Sequence, residues 1–282
     1  MIAADRLKLA KRRGVFWPTL ALTVGGVLLV MLLPELFHLL RGNEVPPAGG
    51  ERGMIRGTAG LAFVGSVAAL IVGGVAGSGD LSAGVFRDLV ATGRPRWSLF
   101  AAKVPGALLF FVPFVVAAYA LVVVCTYAFR GHVVVQIIIS PAPLGQGGLP
   151  SYAVGPLQML PTFSTFAEGL GWVLLFTCFD LLLAIGVASI GTSRAATVGI
   201  LLGFQFIVSP ILLTISYLAG TRQAIYLAAL YRFAPTAFGA NGQGFVPNSI
   251  TGNSLATALL VLLAWVAVVV ALGLRRTVVR DV

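Results

Sequence analysis

Residues 54–129 read MIRGTAGLAFVGSVAALIVGGVAGSGDLSAGVFRDLVATGRPRWSLFAAKVPGALLFFVPFVVAAYALVVVCTYAF. Two long apolar runs, 54–79 and 98–129, flank a basic segment from Asp80 to Lys103. A hydrocarbon core is crossed by ~20 helical residues, so each run is long enough to span it. Four more runs of this kind lie near residues 14–40, 168–192, 195–220 and 254–274. The chain of 282 residues is 58% hydrophobic and 10% charged, with a mean hydropathy of +0.98. Soluble domains carry about 25% charged residues. The whole of 1–282 therefore reads as one membrane domain.

Lipid admits only helices and closed barrels as spanning structures, because every backbone polar group must be satisfied internally. The runs lack the alternation of barrel strands. The fold class is all-α integral membrane, with six transmembrane helices. The basic N-terminus resembles a signal peptide at first sight, but its apolar part is too long and no A-x-A-like site follows. It reads as a retained first helix. Cys125 and Cys178 fall inside spans and imply no disulfide framework.

The net charge of +10 is unevenly placed. With six spans both termini share a side. That side carries Arg6, Lys8, Lys11, Arg12, Arg13, Arg87, Arg94, Arg96, Lys103, Arg194, Arg275, Arg276 and Arg280, thirteen of the nineteen basic residues. Positive segments stay cytoplasmic, so both termini are expected inside the plasma (inner) membrane. The excess reports topology and contact with anionic membrane lipid, not nucleic acid.

Residues 1–13 are helix-compatible, basic and weakly amphipathic, and are expected along the inner membrane surface. Helix 2 carries Gly65, Ala69, Gly73 and Gly77, a small-residue stripe that lets another helix approach. Helix 3 contains Pro105 and Pro113, which predict a kink. The outer segment 131–166 is turn-rich. Span 5 carries a second small-residue stripe, Ala195, Gly199 and Gly203, then Pro210. Residues 221–245 are too apolar for a solvated loop and too short and charged for a span, so a re-entrant or interfacial outer helix is expected.

Within 80–93, Asp80, Gly84, Arg87, Asp88 and Ala91 share one helical face, and Leu81, Val85, Leu89 and Val90 the other. Gly93 then stops the helix and Pro95 prevents its continuation. Trp97 suits the interface at the start of helix 3. An amphipathic helix here fits a headgroup-facing loop as well as a docking element.

These residues resemble the ABC-2 type transporter permeases. The resemblance lies in Asp80 four before Gly84, Leu89–Val90, Ala91–Thr92, Arg96, Trp97 and Lys103 seven after Arg96. It extends to the plan of a basic N-terminal helix, six spans and a long outer segment before the last. Gly93, Pro95 and Val85 depart from the family pattern. The resemblance implies the transmembrane subunit of an ABC exporter. Such a permease pairs with a second permease copy, as a homodimer or with a related chain. ABC ATP-binding subunits dock on it from the cytoplasm. About 80–93 would be the coupling helix, with Asp80, Gly84, Leu89 and Arg96 matching the motif and Phe86, Arg87 and Asp88 chosen as the ATPase contacts. ATP and Mg would bind in the partner subunit, since this chain has no G-x-x-x-x-G-K-[ST] phosphate loop and no cofactor of its own.

Asp180, near the middle of span 4, is an intramembrane carboxylate and so a functional candidate. A polar clamp to Gln205, Thr177 or a neighbouring Ser is one role; a substrate or gating role is the other. Gln205, Ser209 and Thr214 put polar groups along span 5, suited to a translocation path, which the resemblance assigns to spans 2 and 5, or to bonds between helices. Gly73, Gly77, Gly199 and Gly203 mark helix packing or a dimer seam. Glu35 and His38 are expected to be solvated, and the two histidines make no metal site. A membrane enzyme would want interfacial clusters of His, Asp, Glu or Cys, which the sequence lacks. An ion-coupled secondary transporter would want inverted repeats and midplane charges. A non-transporting anchor for a sensing or assembly complex would look much like the permease. Apolar spans favour an amphipathic or hydrophobic cargo, such as a drug, peptide or lipid-like molecule.

Overall fold

The computed structural model describes residues 2–41, 48–82, 93, 96–129, 137–139, 152–154, 161–191, 194–208, 211, 226–235 and 255–279. Helix α1 spans Ile2–Lys11 and α2 Arg13–Leu20; a π-helical stretch, Ala21–Gly25, joins α2 to α3, Gly26–Arg41. Then come α4 (Gly50–Ser82), α5 (Arg96–Ala128), α6 (Phe163–Ile190), α7 (Arg194–Gly203), a second π-helical stretch (Phe204–Val208), α8 (Tyr226–Tyr231) and α9 (Leu255–Val279). Among the described residues five helices are long and apolar enough to cross a membrane: Arg13–Arg41, Gly50–Gly79, Phe100–Ala128, Phe163–Ile190 and Leu255–Arg276. The protein is a multi-pass helical membrane protein. Strands β1 (Ile137–Ile139) and β2 (Tyr152–Val154), paired antiparallel, are an addition that the sequence did not signal.

Helices α4 and α6 form the centre. In their most apolar eighteen residues 56% and 67% are buried, against 17% in Arg13–Arg41 and 11% in α9. Apolarity alone cannot produce this order, because lipid solvates Leu as well as protein does; packing of small residues decides it. Glycines of α4 meet a different neighbour at each level. A β-carbon on Gly57 would lie 2.8 Å from the Met31 sulfur of α3, one on Gly65 3.0 Å from Thr177 of α6, and one on Gly74 2.8 Å from Val198 of α7. At Gly73 and Gly77 it would stand 2.7 Å from the Leu181 carbonyl oxygen and 2.6 Å from that of Ile185. This stripe is a seam with α6.

The contacts fix the relative directions. Gly65, Gly73 and Gly77 meet Thr177, Ala184 and Ala188 in the same chain order, so α4 and α6 run parallel. Gly186 meets Val269 and Gly273 lies against Gly186 and Ser189, so α6 and α9 run parallel too. Helices α4 and α5 form an antiparallel hairpin pinned at both ends: Gly49 N donates to Phe129 O at 3.1 Å, and Lys103 Nζ to Gly77 O at 3.1 Å. Val198 and Gln205 meet Gly74 and Ser66, so α7 runs antiparallel to α4.

Helix α5 runs unbroken through Pro105 and Pro113. Two contacts add to the sequence reading. Helix α1 is packed on the bundle: Leu9 is buried, and a β-carbon on Gly106 of α5 would lie 2.8 Å from Asp5 Cβ. Glu35 is more than solvated, since its carboxylate accepts from the Ala48 N–H at 2.9 Å and orders the turn into α4.

Candidate functional site

The Asp80–Lys103 segment is framed by structure at both ends. Helix α4 carries on through Asp80 to Ser82, and Arg96 opens α5. Gly93 sits in a turn with φ of 78°, a left-handed conformation that glycine adopts without a steric penalty. Gly84, Phe86, Arg87, Asp88 and Leu89 lie outside the described residues. Lys103, the last residue of the motif, is only 7% exposed. Its bond to Gly77 O ties the first turns of α5 to the end of α4. The described helices on either side of the segment, α4 ending at Ser82 and α5 opening at Arg96, are thus clamped to each other.

A second polar constellation joins three segments inside the bundle. Asp180 is fully buried, about 15 Å from the Ile190 end of α6 at 1.5 Å per residue. That is half the ~30 Å hydrocarbon thickness. Ser66 Oγ of α4 donates a short hydrogen bond to Asp180 Oδ2. Gln205 Nε2 donates to Ser66 Oγ at 3.2 Å and makes a longer contact with Asp180 Oδ2 at 3.4 Å. The π-helical stretch holds Gln205; an inserted π-turn rotates the residues after it and often marks a functional position. Oδ1 of Asp180 has no hydrogen-bond partner among the described residues. Thr177 turns instead to the Val173 carbonyl of its own helix, at 2.8 Å. Ser209 and Thr214 lie outside the described residues.

Toward the Phe163 end, Trp172 and Phe176 precede Asp180 at spacings of four, on one strip of α6. They meet Tyr231 of α8 with ring centroids 5.9 Å and 6.0 Å apart. Trp172 Nε1 donates to Leu230 O at 3.0 Å, and Ala229 and Leu230 are buried. Helix α8 thus sits against α6 about 14 Å in from Phe163. Trp172→Phe removes the bond and leaves the Leu230 carbonyl with the Phe233 N–H alone, at 3.2 Å. Thermal unfolding should show a loss of about 0.5–1.5 kcal/mol, the net contribution of one hydrogen bond, and an unchanged transition would mean that this bond does not hold α8 to α6.

The glycines divide. Gly73 and Gly77 are filled by α6 of the same chain, so no second copy reaches them. For Gly199 and Gly203 nothing lies within 4 Å of a β-carbon among the described residues. Gly199 is exposed, beside Ile200 at 66% and Ile207 at 61%. Sequence reasoning expected a neighbouring Ser without singling out Ser66, and it missed the pair Gly186 and Gly273. Ser66 had a signal, since it lies on the α4 face of Ala62, Ala69 and Gly73. Among the described residues no group of His, Cys, Asp and Glu could hold a metal ion. No protein-family model matches the chain, and no curated protein matches it.

Proposed function

We propose that this chain is the transmembrane permease subunit of an ATP-driven ABC exporter, with six crossings and both termini in the cytoplasm of the inner membrane. The observation that carries the reading is the Asp80–Lys103 motif set between two spans. The clamp of Lys103 on Gly77 supports it. A push on the segment between two clamped helix ends moves α4 and α5 together, as a lever requires.

The parallel directions of α6 and α9 support the sixth crossing. Residues 191–254 begin at the Ile190 end and must return to the opposite one, which takes an odd number of passages. Helix α7 and its π-stretch already climb from Arg194 to the level of Ser66. The exposed face bearing Gly199 and Gly203 is the place for a second permease copy. ATP and Mg belong to a separate ATP-binding subunit, and this chain performs no hydrolysis. An amphipathic or hydrophobic cargo, such as a drug in efflux, a peptide or a lipid-like molecule, suits the apolar spans.

The test is affinity purification of the full chain from its native host. An ATP-binding-cassette ATPase should co-purify, and none doing so under mild detergent would sink the proposal. In the complex, Arg87→Glu with Asp88→Arg should lower stimulated ATPase activity at least fivefold, since coupling requires contacts that differ between the two ATPase states. Unchanged assembly and activity would clear those residues of the contact.

A further inference from the structure

The described residues include a recess where α1, the end of α4 and the start of α5 meet. It is lined by Asp5, Lys8 and Leu9 from α1, Arg12 between α1 and α2, Val75, Ala76 and Gly79 from α4, and Lys103 from α5. We propose that this recess binds the phosphate of an anionic phospholipid headgroup. The site stands or falls independently of the transport reading.

Charge comes first. Three cations and one carboxylate share the lining, a formal surplus of two positive charges beside a mostly apolar wall. Fixed cations at a low-dielectric boundary attract an anion far more strongly than the same charges in water. The cations are placed by the fold. The Gly77 carbonyl accepts one of the three Lys103 ammonium protons, which holds the 7%-exposed side chain in the wall. A β-carbon on Gly79 would stand 3.3 Å from Arg12 Nη1, so the glycine leaves the guanidinium lying against the end of α4. A planar guanidinium matches phosphate oxygens two at a time. Lys8 of α1 and Arg12, the extended residue between α1 and α2, both border the recess.

Depth selects a lipid as the source of the phosphate. Trp17, five residues after Arg12, and Trp97, six before Lys103, are each 60% exposed. Exposed tryptophans settle at headgroup level. Basic pockets between transmembrane helices at the interface hold anionic headgroups in this manner.

The test uses the full chain in nanodiscs of phosphatidylcholine, with or without phosphatidylglycerol, read by thermal unfolding and by native mass spectrometry of retained lipid. Phosphatidylglycerol should raise the midpoint by roughly 3–6 °C. Lys8→Gln with Arg12→Gln should abolish that shift and weaken lipid retention roughly 10- to 30-fold. The exposed pair Lys11→Gln with Arg13→Gln removes the same charge outside the recess and should keep most of the shift. Arg12→Lys should keep retention within about threefold, which separates lost charge from damaged folding. Inorganic phosphate in pure phosphatidylcholine discs is the other arm. If it gives the same shift, the ligand is a soluble anion and the lipid assignment is overturned. No shift with either, or equal losses in the two double variants, overturns the site.

Discussion

Gly77→Leu should leave little protein able to form the native bundle. A β-carbon at 77 would stand 2.6 Å from the Ile185 carbonyl oxygen and 2.6 Å from Ala188 Cβ, and the first of these is backbone of α6. Backbone does not yield by rotamer change, so α6 must move away as a unit. That movement opens the Gly73 contact with Leu181 and Ala184 one turn along. Overpacking costs about 1–3 kcal/mol where side chains can adjust. Here they cannot, and a full isobutyl group against a helix backbone should cost about 4 kcal/mol or more, a large share of a marginal stability. Gly77→Ala should cost about 1–3 kcal/mol. Gly199→Leu adds the same volume where nothing among the described residues lies within 4 Å, and should change stability by less than about 1 kcal/mol. Size-exclusion profiles after graded heating in detergent separate the three. Equal behaviour of Gly77→Leu and Gly199→Leu would mean α4 and α6 do not meet along this seam.

The seam shows what a membrane sequence reveals and what it hides. The spans are legible because the solvent demands them: a helix must stay apolar for some twenty residues or leave the lipid. Span limits 14–40, 54–79 and 254–274 accordingly fall close to Arg13–Arg41, Gly50–Gly79 and Leu255–Arg276. Which face of a span meets protein is another matter. Lipid-facing and buried positions are both apolar, so periodicity carries little and small residues carry most. Gly73 and Gly77 could be read for that reason. Gly186 and Gly273 could not, standing singly among Leu, Val and Ala. Polar residues in spans are the other legible class, since each must find a partner away from water. Asp180 and Gln205 were visible as a pair, yet the π-turn that brings Gln205 to Asp180 has no sequence signature. Lys103 read as part of a motif, while its bond to Gly77 depends on the antiparallel return of α5. The packing of α1 beside Gly106 was not legible either, because weak amphipathicity does not say which face of the helix meets protein.

Asp180 gives the other large effect, and its substitutions separate clamp from transport. Asp180→Leu removes the acceptor for Ser66 and Gln205 and leaves both side chains in a buried apolar site. Ser66 Oγ becomes an unpaired buried donor, which costs about 1–3 kcal/mol, while Gln205 keeps its bond to Ser66 and loses its longer contact with the carboxylate. A loss of about 2–4 kcal/mol is expected in thermal unfolding. Asp180→Asn keeps the shape and one carbonyl oxygen for both donors, so stability should stay within about 1 kcal/mol. Ser66→Ala and Gln205→Leu should each be milder than Asp180→Leu. Their double variant should depart from additivity by at least 0.5 kcal/mol, because Gln205 also donates to Ser66. Additive losses would mean the three side chains do not act as one clasp. Export by the assembled complex then decides the role. The clasp joins α4, α6 and the stretch after α7, all buried at this level, so a clamp needs hydrogen-bond geometry and no charge. Asp180→Asn should therefore retain most of the export rate. A loss of a hundredfold or more in a variant that folds normally would assign the carboxylate to cargo binding or gating, with Oδ1 as the atom turned to it.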